Sequence, residues 1–373
     1  MKTPIILEAE DILRIAPQDA HIIFPGDEDQ IRARWQALAL QWSPNANASP
    51  WAERVETHLA ILFGEALTAC RAGRTGGSYP VPALIGAGGG LAVRHSPGIS
   101  PGHGLLSAGG ILKHSDGAIE TSYAYAARGD HELGEVFIAP NTVVWTVDPE
   151  YQDLFEQARS AQNLFRFADQ AMRVRMLAML PTGARFINGP DGMAVVVPKA
   201  SNFVRLEDLK HQLGNTLDPR HVAWIQSTQY DLACWLEWAG LCHGAISPDT
   251  WFVSPLLHSG ALLGGWWYAV EAGAPLRAAS MRTLSSVPRS LFDAKRGDIR
   301  IDLEAIRANG RALLAGIGTA PYLCEWLEGT TSGSAIEDYR QWRRVVELQF
   351  GKPKFVKLDL DFEDIYGSTP DLP

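Results

Sequence analysis

The feature that most constrains the fold of this chain is a central helix that runs into a turn and then into two short strands. The helix is predicted at residues 222–239, where apolar side chains recur at helical spacing. His243 and Gly244 follow in a sequence that favours a turn, and strand-like segments come next at 251–253 and 261–263. This pattern predicts a helix, a loop and a hairpin around which the rest of the chain is organised.

The loop of this unit resembles the catalytic loop of a protein kinase that has lost its chemistry. In kinases an Asp in the loop accepts the substrate hydroxyl proton, while an Asn and the Asp of Asp-Phe-Gly hold the metal ions. At the corresponding positions this chain has Ala245, Thr250 and Gly265, the last of which begins Gly-Trp-Trp. The base and both metal-holding groups are therefore lost, and the resemblance implies a pseudokinase.

The segment before this unit resembles the small lobe of a kinase. Residues 119–147 alternate like strands, residues 151–166 carry a helical stripe, and residues 185–198 have the pattern of a hairpin. The resemblance places Thr146, or its neighbour Trp145, where kinases have the lysine that pairs with the phosphates. Neither side chain carries a positive charge, so this position is degenerate as well.

Three positions of the kinase scaffold are retained in the sequence. His243 and Gly244 stand at the start of the loop, as in the kinase family. Asp302, in a helix predicted at 298–314, resembles the buried Asp with which kinases brace the backbone of the catalytic loop. A scaffold carboxylate kept beside lost catalytic groups is typical of an inactive enzyme whose structure is still under selection.

Two tryptophans and two carboxylates near the loop leave alternatives open. Trp266 and Trp267 either fill the core or plug the nucleotide cleft. Asp249 and Glu271 could substitute for the lost carboxylates, although Asp249 also fits a turn beside Pro248. The second reading of Asp249 is the one that the sequence favours.

The N-terminal segment has the pattern of a helical hairpin. Helices are predicted at 28–41 and 51–71 from apolar residues three and four apart, and the loop between them contains Ser43, Pro44 and Asn45. The pair resembles helices II and III of a J-domain, a family whose loop carries His-Pro-Asp and triggers ATP hydrolysis by a heat-shock chaperone. Only the proline is kept here, so the resemblance implies a degenerate J-like module. A generic helical hairpin is the alternative.

Residues 73–117 are rich in glycine, which favours a flexible or loop-rich connection. A second interpretation is that residues 86–90 form a loop that covers phosphates and that Lys113 is the lysine that pairs with them. That interpretation would make the chain a divergent ATP-binding protein.

Composition excludes several other classes of protein. Hydrophobic residues make up 46% of the chain and charged residues 20%, which is ordinary for a folded protein. The net charge of −9 argues against a nucleic-acid partner. No apolar run is long enough to cross a membrane, and no signal peptide is recognised. The cysteines are too scattered to bind a metal and indicate a reduced, cytoplasmic protein; they are Cys70, Cys234, Cys242 and Cys324.

The chain as a whole is similar to phage and bacterial proteins that join a J-domain to a serine/threonine-kinase-like domain. The expected fold class is α+β, with a helical hairpin domain followed by a two-lobed kinase-like fold. The expected parts are a degenerate J-like domain (1–72), a Gly-rich linker or insertion (73–117), a small lobe (118–200), a large lobe (201–358) and an acidic tail (359–373).

The function implied by this resemblance is that of a catalytically inactive pseudokinase that binds a protein partner as a scaffold or adaptor. No cofactor, no metal, no nucleic acid and no membrane partner is expected. Two alternatives come from other classes of protein. One is a J-domain-type co-chaperone, and the other is a divergent ATP-binding transferase.

Overall fold

The chain divides into two compact units, Met1–Ala83 with Ala200–Asn202 and Leu84–Lys199 with Phe203–Pro373. Helices and antiparallel strands are both abundant, which confirms the predicted α+β class. The computed structural model describes residues 9–15, 17, 20, 23–24, 28–42, 49, 51–71, 84–85, 107–115, 120–314, 320–352 and 354–369.

The helices of the first unit are α1 (Ala9–Arg14), α2 (Glu28–Trp42) and α3 (Ala52–Arg71). Both α1 and α2 pack on α3. The Trp35 ring stacks on the Phe63 ring with centroids 4.9 Å apart, so the apolar stripes of α2 and α3 face each other. These are the two helices that the sequence predicts. Ser43, Pro44 and Asn45 lie outside the described residues.

The second unit contains a seven-stranded antiparallel sheet. Its strands follow the order β1-β3-β4-β5-β7-β6, and β2 pairs with β3. The three consecutive strands β3 to β5 and the hairpin of β6 and β7 correspond to the strands predicted from alternation. The strands are β1 (Leu84–Ile85), β2 (Ser107–Ser115), β3 (Glu120–His131), β4 (Gly134–Ile138), β5 (Thr142–Val147), β6 (Arg185–Gly189) and β7 (Gly192–Pro198).

Part of the segment expected to be a linker belongs to this sheet. Strand β2 pairs with β3 from Ser107 to Ser115, although glycine is depleted in strands and two glycines lie within it. Leu112 of β2 is fully buried and belongs to one core cluster with Tyr123 and Tyr125 of β3. Packing of these side chains overrides the weak strand preference of the glycines. Residues 86–90, the alternative phosphate loop, lie outside the described residues.

Two helices connect β5 to β6: α4 (Gln152–Gln162) and α5 (Gln170–Leu177). The first of them ends four residues earlier than the helix predicted at 151–166. Its Phe155 ring meets the Phe186 ring of β6 edge to face at 5.6 Å, which packs the helix on the sheet. The buried face of α4 consists of Leu154, Phe155, Gln157, Ala158 and Ala161.

The rest of the second unit is mainly helical. A hairpin of two strands pairs with a third short strand, and two further short strands pair with each other. The elements in chain order are β8 (Val204–Arg205), α6 (Leu206–Gln212), α7 (Pro219–Ala239), β9 (Leu241–Cys242), β10 (Trp251–Ser254), β11 (Ser259–Leu262), β12 (Val270–Glu271), α8 (Met281–Ser286), α9 (Ile299–Leu314), α10 (Pro321–Glu328), α11 (Ala335–Phe350) and α12 (Phe362–Tyr366).

Helix α7 is the central helix that the sequence predicts. The Asp218 carboxylate caps it by accepting the Arg220 N–H at 2.8 Å, and Pro219 occupies its first turn. Gly240 ends it with φ of 70°, a left-handed conformation that favours glycine. The chain then enters β9, a short strand that the sequence pattern did not indicate, before it reaches the turn at His243 and Gly244.

Helix α7 packs between α9 and α11. The Gln226 amide donates to the Ile306 carbonyl of α9 at 2.9 Å. On the other side, the Trp342 indole of α11 donates to the Ser227 hydroxyl at 3.0 Å. These bonds run along the sides of a buried helix, so α7 fixes the position of the loop that follows it.

The C-terminal acidic segment, predicted as a tail at 359–373, contains α12, which packs on α6. The Tyr366 hydroxyl donates to the Asp208 carboxylate at 2.7 Å and accepts the Arg205 N–H at 2.9 Å. The Arg205 guanidinium and the Asp208 carboxylate form a buried ion pair at 2.7 Å. The described part of this segment is therefore held by a buried polar group.

Within the described ranges, no helix combines the length and apolar character that crossing a bilayer requires. The four cysteines are free thiols. Cys242 is buried, and that burial raises the pKa of its thiol well above the ordinary value. A thiol in this environment is an inert part of the core.

Candidate functional site

The loop after α7 is braced from α9 by a single carboxylate. Asp302 accepts the backbone N–H groups of His243 and Gly244, each at 2.8 Å. Gly244 has φ of 73°, so the turn that presents its N–H group favours glycine. Burial of Asp302 raises the pKa of its carboxyl to about 7, against the two N–H donors that lower it. The helix and the loop are thus joined by two buried hydrogen bonds.

The His243 ring holds the same loop through both of its nitrogens. Its Nε2–H donates to the Gly264 carbonyl at 3.1 Å, and its Nδ1 accepts the Ala245 N–H at 3.3 Å. One nitrogen donates and the other accepts, so the imidazole is neutral. Complete burial lowers its pKa to about 3. A neutral histidine is therefore a fixed structural element of this loop.

The structure brings Ala245, Thr250 and Gly265 together. The Thr250 hydroxyl donates to the Ala245 carbonyl at 2.7 Å and accepts the Ser247 N–H at 3.0 Å, which closes the loop on itself. A Cβ atom on Gly265 would lie 3.1 Å from Thr250 Cγ2 and 3.2 Å from Ala245 Cβ. The point where these residues meet is lined by the edge of the His243 ring, two methyl groups and a satisfied hydroxyl.

Thr146 does not join these residues, because its side chain points to the other face of β5. The Thr146 hydroxyl accepts the Glu135 N–H at 3.0 Å and donates to the Glu135 carbonyl at 3.2 Å. Trp145 is on the opposite face of β5 and is 1% exposed. A Cβ atom on Gly264 would lie 2.6 Å from Trp145 Cζ2, so the indole packs directly on this glycine, two residues after β11. The side chain of β5 that reaches Gly264 is therefore an aromatic ring.

Trp145 belongs to an aromatic cluster with three other rings, Trp267, His131 and Phe252. Trp267 stacks on His131 with centroids 5.0 Å apart and meets Trp145 edge to face at 5.7 Å. Phe252 of β10 meets Trp145 edge to face at 6.3 Å. The aromatic cluster fills the space between β5, the β10–β11 hairpin and the turn that follows β3.

The two adjacent tryptophans of the sequence have different positions. Trp267 is part of the aromatic cluster, whereas Trp266 packs edge to face on the His243 ring at 4.8 Å. The Trp266 indole also donates to the Leu262 carbonyl at 2.9 Å. Trp266 is a core residue beneath the loop, and Trp267 is the one that lies between the sheet and the loop.

His131 anchors the aromatic cluster to the turn between β3 and β4. Its Nε2–H donates to the Thr146 carbonyl at 2.8 Å, and its Nδ1 accepts the Leu133 N–H at 3.3 Å. Burial lowers its pKa to about 4. The imidazole is neutral for the same reason as that of His243.

Glu132, at the tip of this turn, forms hydrogen bonds to residues on both sides of β12 in the sequence. The Glu132 carboxylate accepts the Tyr268 hydroxyl at 2.5 Å, the Ser280 hydroxyl at 2.9 Å and the Arg282 N–H at 3.1 Å. Three donors from two separate segments thus converge on one carboxylate. These hydrogen bonds fix the position of the turn next to His131 of the aromatic cluster.

The carboxylates that could substitute for the lost ones are engaged in ion pairs. The Arg282 guanidinium contacts Asp249 and also lies 3.2 Å from the Glu207 carboxylate. Glu271 lies 3.7 Å from the guanidinium of Arg166. Among the described residues, no three His, Cys, Asp or Glu side chains are arranged to hold a metal ion. Asp249 is a partner of Arg282, in agreement with its turn interpretation.

The alternative lysine, Lys113, lies far from the loop in the strand order. Lys113 is on β2 and pairs with Ser122 of β3, so that β3 and β4 lie between its strand and β5. Trp145 is on β5. Lys113 is therefore not brought to the aromatic cluster by the topology of the sheet.

Sequence reasoning missed Glu132, Gly264 and the choice of Trp145 over Thr146. A signal for Trp145 was present, because Val143, Trp145 and Val147 alternate as the more apolar face of β5. The contacts of Glu132 join residues more than 130 positions apart and leave no local pattern. The space at Gly264 is likewise set by a ring from a distant strand.

Neither protein-family models nor curated proteins gave a match to this chain. The residues themselves carry the argument about its function.

Proposed function

We propose that this chain is a catalytically inactive pseudokinase that binds a protein partner as a scaffold or adaptor. The observation that carries the proposal is the contact of Trp145 with Gly264 beside Ala245 and Thr250. In the kinase resemblance Trp145 stands at or next to the phosphate-pairing lysine, Gly265 at the metal-binding carboxylate, Ala245 at the base and Thr250 at the metal-binding amide, and Gly264 is next to Gly265. An aromatic ring, a hydrogen atom, a methyl group and a satisfied hydroxyl take their places.

Gly264, on which the Trp145 ring lies, directly precedes Gly265, the residue that the resemblance places at the metal-binding carboxylate. Both residues are glycine, so neither supplies a carboxylate.

The magnitudes argue against phosphoryl transfer. Catalysis of this reaction rests on positioning and on electrostatic stabilisation by the lysine, the metal ions and the base. Loss of one such element costs about 3–5 kcal/mol of transition-state stabilisation, and here all of them are replaced. Asp249 cannot compensate while Arg282 neutralises it.

The braced loop explains why an inactive chain would keep this architecture. Asp302, His243 and Thr250 satisfy the polar groups of the loop backbone without facing a substrate. Such bonds maintain a shape, and a maintained shape is what a protein-binding surface needs. The aromatic cluster adds rigidity where a nucleotide-binding enzyme would need an open cleft.

A phosphate-transfer assay tests the catalytic half of the proposal. The full chain is incubated with magnesium, ATP labelled on its γ-phosphate, and casein as a general acceptor. We expect no label on the chain or on casein above that of a boiled sample. Label that disappears in the Asp249→Asn variant but persists in Asp293→Asn would show a substitute base and overturn the proposal.

Quantitative capture of partners from host cells tests the scaffold half. We expect one protein to be retained in near-equal molar amount by the wild-type chain, in the presence and absence of ATP. Retention of only abundant, unspecific proteins, each far below an equal molar amount, would contradict a scaffold role.

The co-chaperone function is a second candidate, favoured by the packing of α2 on α3 in the first unit. The sequence argues against it, since the loop has Ser43 and Asn45 where the J-domain family has His and Asp. An ATPase assay with the host heat-shock chaperone separates the two functions. Stimulation by the wild-type chain that is lost in Pro44→Ala would favour the co-chaperone.

A divergent ATP-binding transferase has less support, because Lys113 lies on β2, away from Trp145. We also propose that the protein is cytoplasmic, and the four free cysteines are consistent with a reducing compartment.

A further inference from the structure

The end of α11 carries a local charge opposite to that of the whole chain. Residues 343–357 contain five Lys and Arg residues and one Glu, a local net charge of +4, whereas the chain has a net charge of −9. Arg343, Arg344, Lys352 and Lys354 are all exposed. None of these four forms an ion pair with another residue in the described part of the chain.

Exposed apolar side chains accompany these cations. Leu348 and Phe355 are each 67% exposed, and Tyr322 is 49% exposed. Leu348 lies four residues after Arg344, so both occupy one face of α11. Large apolar side chains at this level of exposure are common singly, but a group beside unpaired cations indicates an interaction site.

Contacts between helices place the three apolar side chains at the same end of α11. Glu237 of α7 caps the first residue of α11, and Trp342 bonds to Ser227, so the two helices run antiparallel. The last turns of α11 therefore lie beside the start of α7, where Trp224 stacks on His258 and His258 stacks on Phe355.

Tyr322 is joined to this end directly. The Tyr322 N–H donates to the Gln349 side chain at 3.1 Å, and Gln349 is next to Leu348 in the last turn of α11. We define the basic–apolar patch as Tyr322, Arg344, Leu348, Lys352, Lys354 and Phe355.

We propose that the basic–apolar patch is the docking site for an acidic segment of the partner protein, one in which carboxylates flank apolar side chains. This inference rests on the proposed scaffold function and specifies where that scaffold holds its partner. Leu348 and Phe355 would be covered by apolar side chains of the segment, and Arg344, Lys352 and Lys354 would pair with its carboxylates.

The positive charge of the patch and the short distance over which charges interact at physiological salt favour a short acidic segment over other anionic partners. A segment that covers only the patch meets its three cations, because charges beyond about 8–10 Å are screened at physiological salt. A nucleic acid extends further and would meet the field of a chain whose net charge is −9. An anionic membrane has the same disadvantage over a still larger area.

A peptide titration on the full chain tests the proposal. The probe is a fluorescein-labelled peptide of alternating Glu and Leu, and the matched probe has Gln in place of Glu. We expect binding of the acidic probe alone, weakened about ten-fold or more by R344E/K354E and by L348S/F355S, as is typical of interface charges and anchors. Added salt should weaken the wild-type affinity and have little effect on R344E/K354E.

Matched variants elsewhere control for general charge and stickiness. Arg173→Glu changes an exposed cation on α5, and Met281→Ser changes a side chain that is 70% exposed on α8. Both should bind the acidic probe like the wild type. Equal weakening by these controls, equal binding of the Gln probe, or tighter binding of a single-stranded oligonucleotide or of phosphatidylserine vesicles would overturn the proposal.

The peptide titration tests the docking site, and the phosphate-transfer assay tests the proposed function, so failure of one can be told from failure of the other. If the chain transfers phosphate but the patch variants still lose the acidic probe, the pseudokinase proposal fails and the docking site stands. If no phosphate is transferred and the patch variants bind like the wild type, the docking site alone is wrong.

Discussion

The loop that Asp302 holds and the aromatic cluster are neighbouring regions that are stabilised by different interactions. In the loop, Asp302, His243 and Thr250 hydrogen-bond to buried backbone groups. In the aromatic cluster, Trp145 and Trp267 pack ring against ring, and their indole N–H groups are buried without a hydrogen-bond partner. Hydrogen bonds to the backbone therefore hold the loop in place, whereas the packing of apolar rings holds the aromatic cluster together. Each part therefore fails in its own way when it is mutated.

The largest effect is expected from Trp145→Ala, which empties the centre of the aromatic cluster. A fully buried tryptophan replaced by alanine loses apolar contacts and leaves a cavity, at a cost of about 3–5 kcal/mol. The free energy of unfolding in urea measures this cost. Trp238→Ala is the matched control, because Trp238 is 49% exposed and should cost far less. Equal costs for both would mean that Trp145 is not a core residue.

The next effect is expected from Asp302→Ala, which leaves two buried N–H groups of the loop without an acceptor. Each unsatisfied donor costs about 1–3 kcal/mol, and loss of a carboxyl that is itself costly to bury offsets part of that sum, so we expect a loss of about 2–4 kcal/mol in the free energy of unfolding. Asp302→Asn should cost less, because its carbonyl oxygen keeps one of the two bonds. Asp293→Ala, at an exposed position, is the control and should change stability by less than about 0.5 kcal/mol.

The shifted pKa values of two histidines, one in each region, predict that the free energy of unfolding depends on pH. His243 and His131 have folded pKa values of about 3 and about 4, below the 6.5 of an unperturbed histidine. The unfolded chain then binds protons first, so their contribution is complete above pH 6.5 and is lost as pH falls toward 4.

Asp302 acts in the opposite direction, because its pKa is raised to about 7 and its contribution is lost as pH rises through that value. The difference between wild type and His131→Gln isolates one histidine. We expect the unfolding free energy of the variant to fall less steeply between pH 6.5 and 5, by up to about 1.4 kcal/mol per pH unit. Parallel pH profiles would contradict a neutral, buried His131.

A smaller effect is expected from Gly264→Ala, which adds a methyl group where the Trp145 ring already lies. The new Cβ atom would be 2.6 Å from Trp145 Cζ2, and such overpacking costs about 1–3 kcal/mol. In the Trp145→Leu background the same change should cost less, because the smaller side chain leaves room. An equal loss of unfolding free energy in both backgrounds would show that Gly264 and Trp145 do not interact.

The elements nearest the site could be predicted because their signals are local. The Asp218 cap, the apolar stripe of α7 and Gly240 define the central helix within a short window. Alternation gave the strands of the sheet but left the choice between Trp145 and Thr146 open. That choice is one of register, and a shift by one residue turns every side chain of a strand to the other face.

Other features could not be predicted because they depend on distant contacts. The glycines of β2 suggested a loop, and only packing of Leu112 against β3 makes the strand stable. The three bonds of Glu132 come from residues that follow it by 136 to 150 positions. The patch at the end of α11 depends on how α7, α10 and α11 pack, which a linear pattern does not specify.

Calorimetric titration of the full chain with ATP and magnesium is the sharpest check on the proposed pseudokinase function. In that proposal, aromatic rings occupy the space in which an active kinase would hold the nucleotide. We predict no saturable heat up to millimolar ATP, for the wild type and for Asp249→Asn alike. Saturable binding of one ATP per chain at micromolar concentration, abolished when magnesium is removed, would contradict the account.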